Sequence, residues 1–301
     1  MELRVLQYFL AVAREQNISS AAESLHLSQP TLSTQLKALE NELGKQLLIR
    51  KTKGSRKVLL TEEGMILRKR AEEILELIKI TENEISLSDD AIAGDVYIGA
   101  GESDMIRFVA EAAKKLHEKY PAIRYHLLSG NATFVKEYLD RGLIDFGVVY
   151  GPVDPGIYSS LTIPQHDTWG VLMRKDAPLA KYDSIRPQDL QDQPLIVSAQ
   201  ETDVWPLSQW FQQDFAKLPI VATYNLVFNA SLLVQEGLGY ALCLDKLINV
   251  SGDSPLCFRP LCPKIEAEAS VIWKRYQVFS KASTCFLQEL KKILAHSNEE
   301  P

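Results

Sequence analysis

The sequence predicts an all-α N-terminal head and an α/β C-terminal region joined by one long helix. Three patterns predict this fold class. Apolar residues recur at helical spacing over residues 3–43, an alternation by four and three continues over 61–88, and beyond Gly94 short β-rich runs alternate with helical stretches. A chain of 301 residues also exceeds the usual size of one hydrophobic core, so we expect more than one domain.

The head is predicted to contain three helices. An apolar stripe over residues 3–14 indicates the first. Ser20 with Glu23 fits a capping box that would open a short second helix. Ser28 is an N-cap candidate for a longer third helix, in which leucines recur every three or four residues until Gly44 ends it.

The short connection between the second and third helices is the spacing of a helix-turn-helix. The outward face of the third helix carries small or polar side chains that can approach base edges closely, and we expect it to contact DNA. A solvated helix face would have the same composition. The candidate DNA-binding residues on this face are Gln29, Pro30, Thr31, Ser33, Thr34 and Lys37.

A basic, Gly-centred turn over residues 50–57 lies between two apolar runs, 47–49 and 58–60, and predicts a hairpin wing. Its cations suit phosphate contacts, although a charge run alone also suits a solvated loop. The candidate residues are Arg50, Lys51, Lys53, Arg56 and Lys57.

The charge is distributed unevenly. The chain carries a formal net charge of −6, yet residues 1–70 hold 12 Lys and Arg against 7 acidic residues, which leaves the remainder at −11. A basic head on an acidic body can bind a polyanion locally.

A helix predicted from Thr61 to about Ser88 has the seam of a coiled coil, which requires a partner helix and predicts dimers. Its seam positions are Leu67, Ala71, Ile74, Ile78 and Ile85. Beyond it, strands are predicted at 96–100, 124–128, 146–150, 170–173, 195–197, 220–224, 240–244 and 269–273, and helices near 108–120, 134–141, 205–217, 230–236 and 281–296.

Five stretches of the N-terminal 65 residues closely resemble the LysR-type transcriptional regulators: LQYFLAVA (6–13), SAA (20–22), LSQPTLS (27–33), LENELG (39–44) and LTEEG (60–64). Weaker marks of the same family follow in GLIDFG (142–147) and LVQEGLGYA (233–241). The resemblance implies a winged helix-turn-helix, a dimerising linker helix and an effector domain like periplasmic solute-binding proteins, in which two α/β lobes clasp a ligand. The implied domains are 1–60 (DNA binding), 61–90 (linker) and 91–301 (effector), with lobe I at about 91–163 and 269–301 and lobe II at about 164–268.

Ligand groups of such a domain should come from loops that follow strands. By resemblance Ser103 and Asn131 match effector-contacting positions of the family, although such residues also serve as N-caps. The candidate effector-binding residues are Gly101, Glu102, Ser103, Asp104, Gly130, Asn131, Thr133, Gln200, Thr202 and Asn229. Glu102 and Asp104 argue against a plain carboxylate ligand unless a base of the facing lobe compensates, and they leave a polar or cationic metabolite open.

The expected partners are double-stranded operator DNA, a small-molecule co-inducer and further copies of the chain, as a homodimer or a homotetramer. No other cofactor, metal or membrane is expected, and the expected location is cytoplasmic because no apolar stretch approaches 18 residues. A transport solute-binding protein and an enzyme are the alternatives. The five His are scattered without a catalytic motif, and the four Cys lack a CxxC pair, which favours buried packing over a redox-sensing thiol.

Overall fold

The computed structural model describes residues 1–50, 57–86, 92–212 and 214–297. The chain divides into two compact units, Met1–Leu87 and Ser88–Pro301.

The first unit is the helical head with its hairpin and the long helix. The elements are α1 (Leu3–Glu15), α2 (Ile18–Ser24), α3 (Gln29–Leu43), β1 (Leu48–Arg50), β2 (Val58–Leu60) and α4 (Glu62–Ser86). β1 and β2 pair antiparallel, with Leu48 opposite Leu60 and Arg50 opposite Val58. The helix-turn-helix and the two strands of the wing are therefore present as the sequence predicts.

One hydrophobic core joins the helices of the head. Phe9 and Val12 of α1 pack with Leu32, Leu36 and Leu39 of α3, and all five are at most 2% exposed. Burial of one such side chain contributes about 1.5–3 kcal/mol. Helices as short as α2 are marginal alone in water, so this packing is what stabilises them.

The start of α2 differs from the sequence prediction. Its N-cap is Asn17, whose Oδ1 accepts hydrogen bonds from the backbone N–H of Ser19 at 2.8 Å and of Ser20 at 3.3 Å. The predicted capping box of Ser20 with Glu23 is wrong, because Asn is an equally strong N-cap and stands earlier, which places Ser20 inside the helix.

The ends of α3 agree with the prediction. The Ser28 hydroxyl accepts from the Thr31 backbone N–H at 3.3 Å, and Gly44 ends the helix in the left-handed conformation with φ of 64°. Glycine adopts this conformation without the steric cost of a Cβ atom.

The hairpin is fastened to the helices on both sides by specific contacts. Glu40 of α3 accepts hydrogen bonds through Oε1 from the backbone N–H of Leu47 at 2.9 Å and of Leu48 at 3.0 Å. At the start of α4, the Thr61 hydroxyl accepts from the Gly64 N–H at 3.0 Å and donates to the Gln46 carbonyl at 2.7 Å. The wing is thus positioned relative to α3.

The beginning of α4 belongs to the head. Ala71 is fully buried and Leu67 packs against the core of α1 and α3. These two positions of the predicted seam are therefore satisfied within the chain. Ile74 and Ile78 are half-buried and Ile85 is exposed, so the seam that remains for a partner helix begins at Ile74.

The second unit alternates strands and helices. The elements are β3 (Gly94–Ala100), α5 (Ile106–Lys119), β4 (Ile123–Ser129), α6 (Ala132–Asp140), β5 (Phe146–Tyr150), β6 (Tyr158–Arg174), α7 (Pro187–Leu190), β7 (Leu195–Ser198), α8 (Glu201–Phe211), β8 (Ile220–Tyr224), α9 (Val227–Gln235), β9 (Tyr240–Leu244), β10 (Leu256–Pro260), β11 (Glu266–Lys274) and α10 (Lys281–His296), with 3₁₀ turns at Pro178–Lys181 and Phe215–Lys217.

These strands form a mixed sheet in the order β4-β3-β5-β11-β6-β9-β7-β8, with β10 also paired to β6. β3 runs parallel to β4 and β5, and β7 runs parallel to β8 and β9. Between these two parallel groups, β6 pairs with β11 through residues 158–168 and with β9 through residues 169–172. β6 therefore spans both lobes, and the chain returns to lobe I along β11.

Each lobe has its own core. In lobe I, α5 and α10 pack on the sheet around Phe146 and Phe286, both fully buried. In lobe II, α8 packs on the sheet around Trp210 and Leu242. Separate cores on either side of β6 allow the lobes to move as bodies.

Several elements differ from the sequence predictions. β6 begins twelve residues before the predicted strand at 170–173, and β10 and α7 were not predicted. The sequence did not predict the early half of β6 because this half is polar and contains Pro164, a residue that sheets admit mainly at edge strands. The helix predicted at 205–217 begins at Glu201 and ends at Phe211, since Gln212 takes a left-handed conformation with φ of 52°.

Candidate functional site

The outer face of α3 is polar and open to solvent. Gln29, Pro30, Thr31, Thr34 and Lys37 are exposed and Ser33 is partly exposed. Two hydrogen bonds order this face: Gln29 Nε2 donates to Ser33 Oγ at 2.8 Å, and Thr34 Oγ1 donates to the Pro30 carbonyl at 2.9 Å. A carboxamide has a second N–H and an acceptor oxygen, the pair of groups that recognises adenine.

Gln35 is a further exposed polar residue of α3 that the sequence reasoning missed. It follows Thr31 by four residues, and this spacing places both on the same helix face. That spacing was the signal that could have identified it.

The predicted wing contacts lie mostly beyond what the structure describes. Lys51, Lys53, Arg56 and the side chain of Arg50 fall outside the described residues. Lys57 is exposed at the entrance to β2.

In the second unit, the carboxyl ends of the parallel strands of both lobes border one cleft. Its lining includes Gly101 and Glu102 after β3, Tyr150 at the end of β5, and Ser198 and Gln200 after β7. Completing the lining are Ala132, Val148, Val149, Trp169, Tyr224, Asn225, Val227, Leu244 and Leu247. Strand ends of open α/β sheets are where such folds bind ligands.

The cleft has a volume of about 60 Å³. A buried water needs roughly 10–15 Å³, and drug-sized ligands occupy pockets of about 300–1,000 Å³. The space therefore suits a ligand with a handful of non-hydrogen atoms.

Two hydrogen bonds cross the cleft from lobe to lobe. Oε2 of Glu102, in lobe I, accepts from the backbone N–H of Val227, the first residue of α9 in lobe II. In the opposite direction, Oε1 of Gln200 accepts from the N–H of Ala132, the first residue of α6, at 3.4 Å. Each lobe thus places an acceptor at the N-terminus of a helix of the other, where donors lack partners and the helix dipole is positive.

Ser103 lies outside the lining, in a buried network beside β6, which spans both lobes. Its hydroxyl donates to Oδ2 of Asp167 at 3.0 Å and accepts from the Met105 N–H at 2.9 Å. The Tyr150 hydroxyl hydrogen-bonds with both Ser103 and Asp167. Burial, and then the hydrogen bond to Asp167, raise the pKa of Tyr150, so this residue stays a neutral phenol.

The other predicted effector residues lie partly inside and partly outside the cleft lining. Asn131 caps α6, since its Oδ1 accepts from the Phe134 N–H at 2.8 Å. Asp104 pairs with Arg107, and Thr133 and Asn229 are exposed. The structure brings only Gly101, Glu102 and Gln200 of the predicted set into the lining. Gly130 lies outside the lining, and the side chain of Thr202 lies outside the described residues.

Sequence reasoning missed the apolar and aromatic lining. Val148, Trp169 and Leu244 lie within or beside buried strands, where such residues normally signal core packing. No local signal separates a strand residue that faces the cleft from one that faces the core.

The cysteines are all unpaired thiols. Cys243 and Cys257 are buried, whereas Cys262 and Cys285 are partly exposed. Burial raises the pKa of Cys243 to about 12, which keeps it a thiol at neutral pH. Within the described residues, no group of three or more His, Cys, Asp or Glu is placed to hold a metal ion. The described helices include none long and apolar enough to cross a membrane.

Two family models match the chain. The model described as bacterial regulatory helix-turn-helix protein, lysR family, matches residues 3–65. The model described as LysR substrate binding domain matches residues 89–295.

Individual proteins agree with these family matches. The uncharacterized HTH-type transcriptional regulator YvbU of Bacillus subtilis (strain 168) is 26% identical over 297 residues, covering 97% of this chain and 99% of that protein. AlsR of the same strain, an HTH-type transcriptional regulator, is 34% identical over 211 residues, covering 68% and 66%. Full-length CbnR in complex with its target DNA has the same fold, with a TM-score of 0.76 at 19% identity, covering 97% of this chain and 100% of CbnR.

Proposed function

Because the chain belongs to the LysR family of bacterial transcriptional regulators, we propose that its α3 and wing bind an operator in double-stranded DNA and that a small-molecule effector in the cleft controls this binding. The observation that carries the proposal is the combination, in one chain, of a helix-turn-helix with an open polar face and a two-lobed domain with a cleft at its strand ends.

The DNA half of the proposal rests on chemistry and charge. Gln29 offers donor and acceptor groups to base edges, whereas the wing cations suit phosphates. The surplus of five positive charges over residues 1–70 attracts the polyanion while the rest of the chain is acidic.

Gel shifts with the DNA upstream of the protein's own gene, over a series of salt concentrations, test this half. Arg50→Ala and Lys53→Ala should weaken binding to all sequences about equally and lower the salt slope by about 1 each. Gln29→Ala should instead change sequence preference, by about 1–3 kcal/mol at one base pair. Lys114→Ala, an exposed base of the second unit, serves as the matched control. An equal loss of sequence specificity in the Gln29 and wing variants would contradict the assignment of base contacts to Gln29 and phosphate contacts to the wing.

The effector half rests on the two lobes and the bonds between them. A ligand that binds the closed arrangement better than the open one shifts the equilibrium by no more than its difference in affinity, typically about 1–3 kcal/mol of coupling. Gln200→Ala removes an acceptor from the cleft and one bond between the lobes. We expect this variant to reduce the effector response, measured as the change in DNA footprint length on adding a ligand identified by thermal-shift screening.

Three further points complete the proposal. The family consists of transcriptional regulators, and we propose that this chain has no catalytic activity and requires no cofactor other than its effector. Operator binding implies a cytoplasmic location. Pairing of α4 between copies produces dimers, and we propose dimers of dimers as the full assembly.

A further inference from the structure

The cleft has a distinct electrostatic character. Among the described residues of its lining, Glu102 carries the one formal charge, and none is Lys, Arg or His. Lys246 neighbours the lining residue Leu247, but its Nζ lies 3.9 Å from Asp104 and 3.8 Å from Asp245. That base therefore compensates these two carboxylates and not Glu102.

Two of the backbone N–H groups that could hold an anion at the cleft already have partners. Helix N-termini bind anionic ligands through their free backbone N–H groups. Here Glu102 takes the Val227 N–H of α9, and Gln200 takes the Ala132 N–H of α6. An anionic ligand at the start of α9 would lie beside the Glu102 carboxylate already bound there and would be repelled by it.

The remaining lining suits the opposite charge. Three aromatic residues, Tyr150, Trp169 and Tyr224, border the cleft. The Tyr224 hydroxyl donates to the Leu242 carbonyl at 2.7 Å, and the Tyr150 hydroxyl is held by Asp167 and Ser103. Both hydroxyls thus have partners within the protein, and aromatic rings attract cations to their faces.

Glu102 has a free oxygen for such a ligand. Its Oε2 is bound to Val227, and its Oε1 makes no hydrogen bond to any residue within the described ranges. Since both atoms belong to one carboxylate at the border of the cleft, a cation on Oε1 would interact with a group that already joins the lobes.

We propose that the cleft takes a small organic cation, an alkylammonium group bound by the Glu102 carboxylate and the rings of Trp169, Tyr150 and Tyr224. This inference rests on the proposed function, in which the cleft is the effector site. The cavity of about 60 Å³ restricts the cation to a few non-hydrogen atoms.

Probes that share a carbon skeleton and differ in charge test this inference on the full-length protein. Isopropylammonium, propan-2-ol and isobutyrate are titrated at constant ionic strength, with isothermal titration calorimetry as the readout, because Trp169, which borders the cleft, is itself replaced in two of the variants. Isopropylammonium should bind at least tenfold more tightly than either of the others, and tetramethylammonium should also bind.

Three variants at two cleft positions, with one control, locate the binding. Glu102→Gln, which keeps the shape of the side chain, should weaken isopropylammonium binding at least tenfold, and Trp169→Leu should weaken tetramethylammonium more than Trp169→Phe does. Glu118→Gln, an equal change of charge at an exposed position of α5, should leave the binding unchanged. Far-UV circular dichroism establishes that each variant is folded.

Any of three results overturns the inference. Isobutyrate or propan-2-ol binds as tightly as isopropylammonium, or Glu102→Gln binds isopropylammonium like the wild type. The third result is that no cation binds at concentrations up to a 100-fold molar excess over about 1 mM protein. Operator gel shifts on the same preparations test the proposed function separately. An isobutyrate-dependent change of footprint would retain that function and reject the cation, whereas absence of any operator binding would reject the function itself.

Discussion

At the scale of single residues, Asp167 shows how a buried charge makes stability depend on pH. The side chain is fully buried, and this burial raises its pKa above the usual range of an aspartate. Asp245 also raises this pKa, whereas the hydrogen bonds from Tyr150 and Ser103 and the charge of Lys246 lower it. The folded protein therefore takes up a proton more readily than the unfolded chain. The stability that comes from this tighter binding of the proton is complete below the pKa that Asp167 has in the unfolded chain. It is lost as pH rises through the higher pKa that Asp167 has in the folded protein.

We expect the free energy of unfolding of the wild type, relative to Asp167→Asn, to increase as pH falls from 7 to 4. Urea unfolding followed by Trp fluorescence measures it, because all four Trp lie in the second unit. Asp176→Asn is the control with the opposite sign, since the hydrogen bond from Arg174 lowers the pKa of this exposed carboxyl. If the difference in free energy of unfolding between the wild type and Asp167→Asn stays constant from pH 7 to pH 4, the Asp167 carboxyl does not titrate as inferred.

At the scale of elements, Gly64 sets the distance between α4 and the hairpin. A Cβ atom at this position would lie 2.2 Å from the carbonyl oxygen of Leu47, an atom of the backbone that cannot turn away. Gly64→Ala should therefore force the two elements apart and destabilise the head by about 1–3 kcal/mol. Faster hydrogen exchange of the α1 and α3 amides measures this loss.

Gly44 provides the matched comparison. A Cβ there meets nothing within 4 Å, but φ of 64° disfavours most side chains. Asn tolerates this conformation, so Gly44→Asn should change exchange rates only slightly. If the amides of Gly64→Ala exchange as slowly as those of the wild type, the hairpin moves away from the added methyl group with little loss of stability.

At the scale of the whole molecule, the proposed pairing of two copies depends on α4. Leu67 and Ala71 are used by the head, and the half-buried Ile74 and Ile78 begin the stripe that remains for a partner. The double variant Ile74→Asp with Ile78→Asp places two charges on this stripe, so it should give a smaller species by light scattering and weaker operator binding. Lys79→Glu, which changes the net charge equally at an exposed position, should keep the wild-type mass. A double variant of unchanged mass would place the pairing surface elsewhere.

Much of the architecture could be read from the chain because its signals are local. The leucine stripe of α3, its Ser28 cap and its Gly44 end lie within a few turns of one another, and the strand–helix alternation beyond Gly94 depends on runs of five to fifteen residues. The seven family stretches determined the class of protein for the same reason, since each is contiguous. Where two local signals competed, as Asn17 and Ser20 did for the start of α2, the sequence could not decide between them.

Only the tertiary structure decided what each residue of the second unit contacts. Ser103 is buried because Asp167, 64 residues away, accepts its hydrogen bond, and Glu102 reaches Val227 across 125 residues. Neither distance leaves a periodic trace in the sequence. Likewise, the sequence of the early half of β6 resembles a polar connection, and only its pairing with strands of both lobes identifies β6 as a strand. Contacts between distant segments form through the chain's global packing, so the composition of the cleft follows from the folded structure and not from any single stretch of the chain.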